Sequence, residues 1–533
     1  MMKSFRSIIL GAVACAIVAT ANLSYAATPD NILVIANRID DITTLDPAQS
    51  FEFAGSDLSR NVYGKLVNFD PADFSKGYQP DLAKSWTVSG DGKTITFKMR
   101  DGVKFHSGNP VTAADAVYSL QRAVKLNKTP SFILTQFGFS ADNADQTIKQ
   151  IDNMSFSITT DVKYATSFVL NCLTSTIGGI VDSKLVKSHA KDGDFGNTWL
   201  KTNTAGSGAY KLVNWKPNES YTLTGNADFY LGAPNLDRVI VRHIQESATQ
   251  RLLLEKGDID LARNLNPDDI SGITGKSGIA VDSDLRGRLM YISMNQKDPI
   301  LSKPKVIEAL KYLIDYKGMQ DTFLKGQYTI HQAFLPRTYL GEIADKPYSY
   351  NVSKAKALLK EAGLEGGFNL KINVREAQER IEISQSIQNT FGKANIKVTM
   401  EVGTGKQTLS KYRAREHQIY VGAWGPDYPD PNTNAATFAA NPDNSDEAKA
   451  TGLLAWRNAW HLPEMSKQTK AAVQEGDRDK RAAMYESIQR EHQKRAPFAI
   501  MFQKIEQVGR RDNVKGINLG GAITAISYWP ITK

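Results

Sequence analysis

The segment YVGAWGPDYPDPNT (420–433) holds the residues of this chain best suited to binding a small molecule. A predicted strand ends at Trp424, and Asp427, Tyr428 and Asp430 follow in a loop that two prolines stiffen. In open α/β sheets, ligands bind beyond the carboxyl ends of the strands. A carboxylate held there between two aromatic side chains is suited to an ammonium group, since only a ligand with matching charge and geometry repays the desolvation of such a pair.

Both aspartates of this loop also have a structural interpretation, because Asp and Pro favour turns on their own account. We favour ligand binding for Asp427 and a turn role for Asp430. A matching cation for a ligand carboxylate is Arg375, which directly follows the predicted strand 368–374. Its planar guanidinium suits a carboxylate, although in the charged run VREAQER an ordinary surface salt bridge is the favoured alternative.

Motifs of catalysis are absent from the sequence. The seven histidines include no pair four residues apart, so there is no HExxH zinc helix. The GSG at 206–208 leads into a strand and lacks the pattern of a nucleophile elbow, and Cys172 has no histidine beside it. A triad assembled from distant residues stays open, but we expect a protein that is not an enzyme and that has no cofactor and no metal.

The first 26 residues have the features of a secretory signal peptide: Lys3 and Arg6, an apolar stretch from Ile8 to Ala21, and small residues before Ala27. Cys15 lies inside the apolar stretch, which argues against a lipid anchor. No other window reaches about 18 uninterrupted apolar residues. We therefore expect an exported, soluble chain beginning near Ala27.

The net charge, the length and the cysteine count indicate which partners, how many lobes and which cross-links to expect. The formal net charge of +9 is spread along the chain, and no basic stripe is interleaved with aromatic residues, so we expect no nucleic-acid partner. A chain of 533 residues exceeds the roughly 250–300 at which one core stops growing, which indicates two or more lobes. Once Cys15 is removed, Cys172 is the remaining cysteine, so no internal disulfide forms and the thiol is expected to be buried.

Strands and helices alternate through most of the chain. The segments 368–374, 383–394 and 396–402 predict a strand, a crossover helix and a second strand parallel to the first. In the segment 353–363 we expect Ser353 to cap a helix that Gly363 ends. Acids and bases alternate along 478–495, which predicts a solvated helix.

The segment GVKFHSGNPVTAADAVYSLQR (102–122) combines a strand end, a turn and a helix that Thr112 caps together with Asp115. It resembles the segment that marks the solute-binding proteins of peptide, nickel and opine ABC importers, the extracytoplasmic family 5. Further segments fit the same family in order: GSGAYKLVNW (206–215), NADFYLGAPNLDRVIVRHI (226–244), LLLEKGDIDLA (252–262), 290–315 and 353–363.

This resemblance implies an α/β protein with the class II periplasmic-binding-protein fold, in which two lobes are joined by a hinge and an extra small domain is inserted in lobe I. We place lobe I at residues 27–65 with 191–285 and 505–533. The inserted domain is expected at 66–190 and lobe II at 286–504.

The resemblance also implies roles for single residues. In peptide-binding relatives the Asp of the Trp-x-x-Asp pattern binds the α-ammonium of the peptide, and Asp427 occupies that position, with Trp424 and Tyr428 lining the pocket. Glu52 lies where relatives bring an acidic group towards the ligand. Val421 stands where oligopeptide-binding relatives carry an arginine, which argues against a simple oligopeptide role.

The function expected from this is the capture of a small peptide or peptide-like compound in a Gram-negative periplasm and its delivery to the ABC permease subunits of the inner membrane, by a monomer. Within the binding class, an opine, an oligosaccharide, or a metal or haem complex are alternative ligands. A periplasmic hydrolase and a chaperone-like holdase are the alternatives from other classes.

Overall fold

The computed structural model describes residues 28–70, 76–519 and 525–533. The predicted signal peptide 1–26 lies outside these residues. Within them, no helix combines the length and the apolar character needed to cross a membrane.

The described residues form seventeen strands. They are β1 (Ile32–Asn37), β2 (Val67–Phe69), β3 (Tyr78–Pro80), β4 (Ala83–Val88), β5 (Thr94–Met99), β6 (Ile148–Asp152), β7 (Ser155–Thr159), β8 (Tyr210–Lys216), β9 (Ser220–Gly225), β10 (Arg238–His243), β11 (Leu261–Ala262), β12 (Ile279–Met294), β13 (Tyr328–Ile330), β14 (Phe368–Arg375), β15 (Ile396–Gly403), β16 (Ile419–Trp424) and β17 (Phe498–Arg511).

Eighteen α-helices lie in the same part of the chain. They are α1 (Phe53–Val62), α2 (Ala113–Leu126), α3 (Phe132–Thr135), α4 (Ala144–Thr147), α5 (Thr166–Leu173), α6 (Ser183–Ser188), α7 (Asn197–Leu200), α8 (Ser247–Lys256), α9 (Pro267–Ile273), α10 (Pro304–Tyr312), α11 (Tyr316–Asp321), α12 (Val352–Glu361), α13 (Gln378–Gly392), α14 (Gly405–Arg413), α15 (Pro431–Ala439), α16 (Leu454–Arg457), α17 (Pro463–Ala472) and α18 (Arg478–Arg495).

The largest sheet has the order β15-β14-β16-β12-β17-β11-β1-β10-β9-β8, with β13 pairing to β17. Strands β14 and β15 are parallel along their whole length and α13 connects them, so the predicted strand, helix, strand unit is confirmed. Strand β16 is also parallel to β14. At the other end of the sheet, β1 runs parallel to both β10 and β11.

Two long antiparallel strands, β12 and β17, join the two ends of this sheet. Their register shifts between Leu285 and Leu289 and again between Met290 and Tyr291, which marks a bulge. The boundaries predicted between the lobes, near residues 285 and 505, fall inside these two strands. The assignment of whole segments to lobes stays a prediction.

A separate four-stranded sheet, β4-β5-β7-β6, packs against α2 and has its own apolar core. The capping box predicted at the start of α2 is confirmed: the backbone N–H of Thr112 donates to a carboxylate oxygen of Asp115 at 2.9 Å. The thiol of Cys172 is buried in this core, as the sequence predicts.

Two local predictions are wrong. Helix α12 is capped by Asn351, whose side chain accepts from the backbone N–H of Lys354, and Ser353 already lies inside the helix. Helix α18 is not solvated all round. Arg481, Tyr485 and His492 are among its buried residues, because the helix packs against α15 and α17.

Candidate functional site

The loop that follows β16 lies at the carboxyl ends of two parallel strands, β14 and β16, as predicted for a ligand site. Trp424 is the last residue of β16 and pairs with Leu289 of β12. The bulge of β12 packs directly against the loop, since a Cβ on Gly287 would lie 3.0 Å from Pro426. Helix α15 begins at Pro431 and closes the loop.

Asp427 is a partly buried carboxylate in this loop. Its backbone N–H donates to the hydroxyl of Thr433 at 3.0 Å. Among the described residues, no cation forms a salt bridge with it, and the guanidinium of Arg457 acts on it from a longer distance. Burial raises its pKa from 3.8 to about 7, against the opposing effects of Arg457 and of Thr433. A cation bound beside Asp427 would lower this pKa, so that the carboxyl group would be fully ionised at neutral pH.

Trp424 is half-buried beside Asp427. Its indole N–H donates to the side-chain oxygen of Asn434 at 3.1 Å, and its ring meets Phe438 edge-on at 6.4 Å. These contacts hold the ring in one orientation. Its role as a wall of the ligand site stays a prediction.

Tyr428 is placed differently from Trp424. Its side chain is 5% exposed and packs into the core below the four-stranded sheet, with its ring 5.9 Å from Phe168. Its hydroxyl lies 3.3 Å from Gln136 and accepts from Asn432 at 3.3 Å. The structure thus uses Tyr428 to join the loop to the segment 132–173, and its predicted contact with a ligand has no support from these positions.

Asp430 has a structural role. Its side chain caps α15 by accepting from the backbone N–H of Asn432 and forms a two-pronged ion pair with Arg481, at 2.7 and 3.0 Å. Both side chains are nearly inaccessible, at 0% and 2% exposure. Asn171 donates to the same carboxylate at 3.2 Å, so this pair also ties the loop to α5.

Arg375 ends β14 at the same edge of the sheet. Its side chain is exposed, and its guanidinium lies over the start of α14, where a Cβ on Gly405 would approach its Nε to 2.8 Å. Val374 pairs with Val421, so Arg375 is level with Gly422 rather than with the tip of the ligand loop. Its role as a carboxylate ligand stays a prediction.

Glu52 is the residue that directly precedes α1. Its carboxylate accepts from the backbone N–H of Phe51 at 3.1 Å and from the hydroxyl of Thr43 at 3.4 Å. The neighbouring Phe53 is 54% exposed, and its ring lies 3.4 Å from the Cβ position of Gly425. The start of α1 therefore faces the loop after β16.

Sequence reasoning missed Asp41, which follows the carboxyl end of β1. Burial raises its pKa to about 6, and nearby Glu52 adds to the effect while the backbone N–H of Ala54 opposes it. One of its oxygens is buried without a hydrogen-bond partner. Ligands bind beyond the carboxyl ends of strands in such sheets, and this rule applies to β1 as it does to β16. The position of Asp41 after β1 was therefore the sequence signal that could have identified it.

The described residues give no support for a metal site, a reactive cysteine or a ligand-binding histidine at the loop. They contain no group of three His, Cys, Asp or Glu side chains that could hold a metal ion. Burial raises the pKa of the Cys172 thiol, which keeps it protonated. His417 is buried away from the loop, with Nε2 at 2.9 Å from Asn458, and burial lowers its pKa to about 4.

Comparison with known proteins agrees with this geometry. Residues 77–446 match the family model of the bacterial extracellular solute-binding proteins, family 5 middle region. The chain is 27% identical over 498 residues to a probable D,D-dipeptide-binding periplasmic protein of Escherichia coli, DdpA, covering 93% of this chain and 92% of that protein.

Solved structures share the fold. The periplasmic binding protein DppA of Helicobacter pylori, in complex with the peptide STSA, superposes with a TM-score of 0.79 at 24% identity over 94% of this chain and 98% of that one. An Agrobacterium binding protein in complex with mannopinic acid gives 0.77 at 22% identity over 95% and 99%. The predicted two-lobe α/β binding-protein fold is confirmed, and the chain belongs to family 5 of the bacterial extracellular solute-binding proteins.

Proposed function

We propose that this protein captures a small peptide, or a peptide-like amino compound, in the periplasm and delivers it to the permease of an ABC importer. It makes and breaks no bond. The observation that carries the proposal is the carboxyl group of Asp427, which is partly buried in the loop after Trp424 and has no salt-bridge partner among the described residues. An α-ammonium group supplies the charge that this position lacks.

The energetics favour a cationic ligand group over a neutral one. In the unliganded protein, desolvation makes ionisation of Asp427 costly, and this cost is recovered when an ammonium enters and pairs with the carboxylate. The indole of Trp424 closes one side and excludes water, which strengthens the pairing. A relative named for D,D-dipeptides and a structural neighbour solved with the peptide STSA support a peptide ligand.

Closure of the lobes is the second part of the proposal. Contacts already join the loop after β16 and α17 to the segment 132–173: the backbone N–H of Ala165 donates to the carbonyl of Val473 at 2.9 Å, and Asn171 donates to Asp430. A ligand held between Asp427 and the start of α1 adds contacts that exist in the closed form alone. It therefore shifts the population towards closure, the form that the permease is expected to recognise.

The test is calorimetry with Ala-Ala-Ala and its N-acetylated form, on wild type and on Asp427→Asn. We expect acetylation to abolish binding to wild type, because a neutral amide cannot pair with the carboxylate. Asp427→Asn should bind the free peptide about 100-fold or more weaker, from roughly 3 kcal/mol or more for a broken buried pair. The matched control is Asp443→Asn, an exposed aspartate of the same half, which should bind as wild type does.

Equal binding of both peptide forms by wild type would refute the role of Asp427. Mass spectrometry of the protein as purified under native conditions identifies a retained ligand directly. If the retained ligand is an opine, a sugar or a metal complex without a primary amine, that compound and not a peptide is the ligand of this protein.

A further inference from the structure

Arg380, in the first turn of α13, is a buried cation without a partner. Its side chain is 7% exposed, its Nε is enclosed without a hydrogen bond, and its other nitrogens form no hydrogen bond or ion pair with the described residues. Two other buried arginines are each paired with a buried carboxylate, Arg122 with Asp46 and Arg481 with Asp430, and buried Arg457 donates to the carbonyl of Thr451. An unmatched buried guanidinium is costly unless a ligand supplies the anion.

The surroundings of Arg380 add positive charge. Arg288, in the bulge of β12, lies near enough to lower the pKa of Arg380 further, after the larger effect of burial. Lys504 of β17 lies 4.6 Å above the ring of Tyr328, and burial together with Arg288 lowers its pKa to about 8. Glu379 lies 4.0 Å from Arg288 and raises the pKa of both Arg380 and Lys504.

The carboxylate of Glu506 also raises the pKa of Lys504, but together with Asp57 it balances the charges of Arg263 and Arg286. It is engaged by Arg263 at 3.0 Å and by Arg286, which together lower its pKa. Three cations, Arg288, Arg380 and Lys504, less the one charge of Glu379, leave two positive charges without a counterpart.

The cluster lies beside the ligand loop. Leu289 pairs with Trp424, so Arg288, the residue before it, stands next to the start of the loop. The N-terminal turn of α13 contributes Glu379 and Arg380, and the positive end of the helix dipole acts in the same direction as these cations.

We propose that Arg288, Arg380 and Lys504 form a subsite for a dianionic group of the ligand, either two carboxylates or a phosphate. The inference rests on the proposed function, because it assigns the second end of a ligand that Asp427 holds at the first. Two positive charges favour a dianion over the single carboxylate of an ordinary dipeptide. The exposed Arg375 is screened by solvent and is not part of the subsite.

Thermal unfolding with simple anions tests the subsite without a peptide. Acetate, succinate and inorganic phosphate are compared at constant ionic strength on wild type, Arg380→Met and Arg478→Met. Succinate or phosphate should raise the Tm of wild type above the value in acetate, and which of the two acts more strongly separates a dicarboxylate from a phosphate site. Arg478, whose side chain is 80% exposed, is the control and should respond as wild type does.

Arg380→Met should lose this response and, without any anion, unfold at a higher temperature than wild type, because an unpaired buried charge is removed. If Arg380→Met does not fold, Arg288→Met serves as the second variant and should lose the response as well. Equal Tm values for wild type in all three anions, or an undiminished response in the variant that folds, would overturn the proposal.

Calorimetry with Ala-Ala, Ala-Asp and Ala-phosphoserine then links the subsite to the ligand. Wild type should bind one of the two dianionic peptides about tenfold or more tighter than Ala-Ala, and Arg380→Met should weaken that peptide about 30-fold. If wild type shows no anion response but still discriminates against the N-acetylated peptide, the subsite alone is refuted. An intact anion response with no effect of N-acetylation refutes the role of Asp427 alone.

Discussion

Replacing Asp427 by Asn should stabilise the unliganded protein at neutral pH while it removes ligand binding. In the folded protein the pKa of Asp427 is about 7, against 3.8 for the ordinary carboxyl group, because burial disfavours the charged form. The folded state thus holds the proton more tightly than the unfolded state does. The protonated Asp427 therefore contributes to the free energy of unfolding. This contribution is fully present below pH 3.8 and is lost as the pH rises through 7.

The magnitude follows from the size of the shift. Each pKa unit corresponds to about 1.4 kcal/mol, so the shift amounts to about 4 kcal/mol when the carboxylate is fully ionised. Since the side chain keeps partial contact with solvent, we expect about half of that in experiment. The neutral amide of Asn carries no such cost at any pH.

The assay is urea unfolding of wild type and Asp427→Asn without ligand, at intervals from pH 4 to pH 9. The difference between the two proteins isolates Asp427, because all other titrating groups contribute equally to both. The midpoint of Asp427→Asn should rise relative to wild type between pH 4 and pH 7 and then stay constantly above it. A difference that does not change with pH would show that Asp427 is an ordinary solvated carboxylate and would refute the reasoning.

Three further predictions concern other parts of the molecule. Arg481→Ala should lower the free energy of unfolding by about 3–5 kcal/mol in urea, since it leaves Asp430 buried and unpaired; Arg478→Ala is the control, and an equal effect of both would contradict this. Cys172 should not react with Ellman's reagent until urea unfolds its core, so fast labelling of the folded protein would disprove its burial. Small-angle scattering should show a smaller radius of gyration once a confirmed ligand is added, whereas identical profiles would exclude closure.

Local chemistry made several elements predictable. Thr112 and Asp115 form a capping box within four residues, so their interaction depends little on the rest of the fold. The parallel unit of β14, α13 and β15 was likewise readable from its alternation of strand and helix patterns. The cap of α12 was misplaced by two residues because Asn351 and Ser353 are both good caps, and the packing of the chain chose between them.

Burial of charged residues was not predictable in the same way. Helix α18 carries charges on all sides, and its pattern indicates solvent exposure. The ion pair of Arg481 with Asp430, 51 positions earlier, allows one charged face to be buried. A helix pattern cannot show such a partner, because the partner comes from a distant part of the chain.

The segment 102–122 and five later segments indicated the family by resemblance, and the two-lobe α/β fold followed from that resemblance. The position of the loop that carries Trp424 and Asp427 depends on residues close together in the chain, so the sequence alone predicted it. Tertiary structure decided which side chains of that region remain available. It placed Tyr428 in a core, paired Asp430 with Arg481, and left Arg380 buried without a partner. The physical reason is that desolvation and charge pairing depend on every element that surrounds a group, and those elements meet only after the chain has folded.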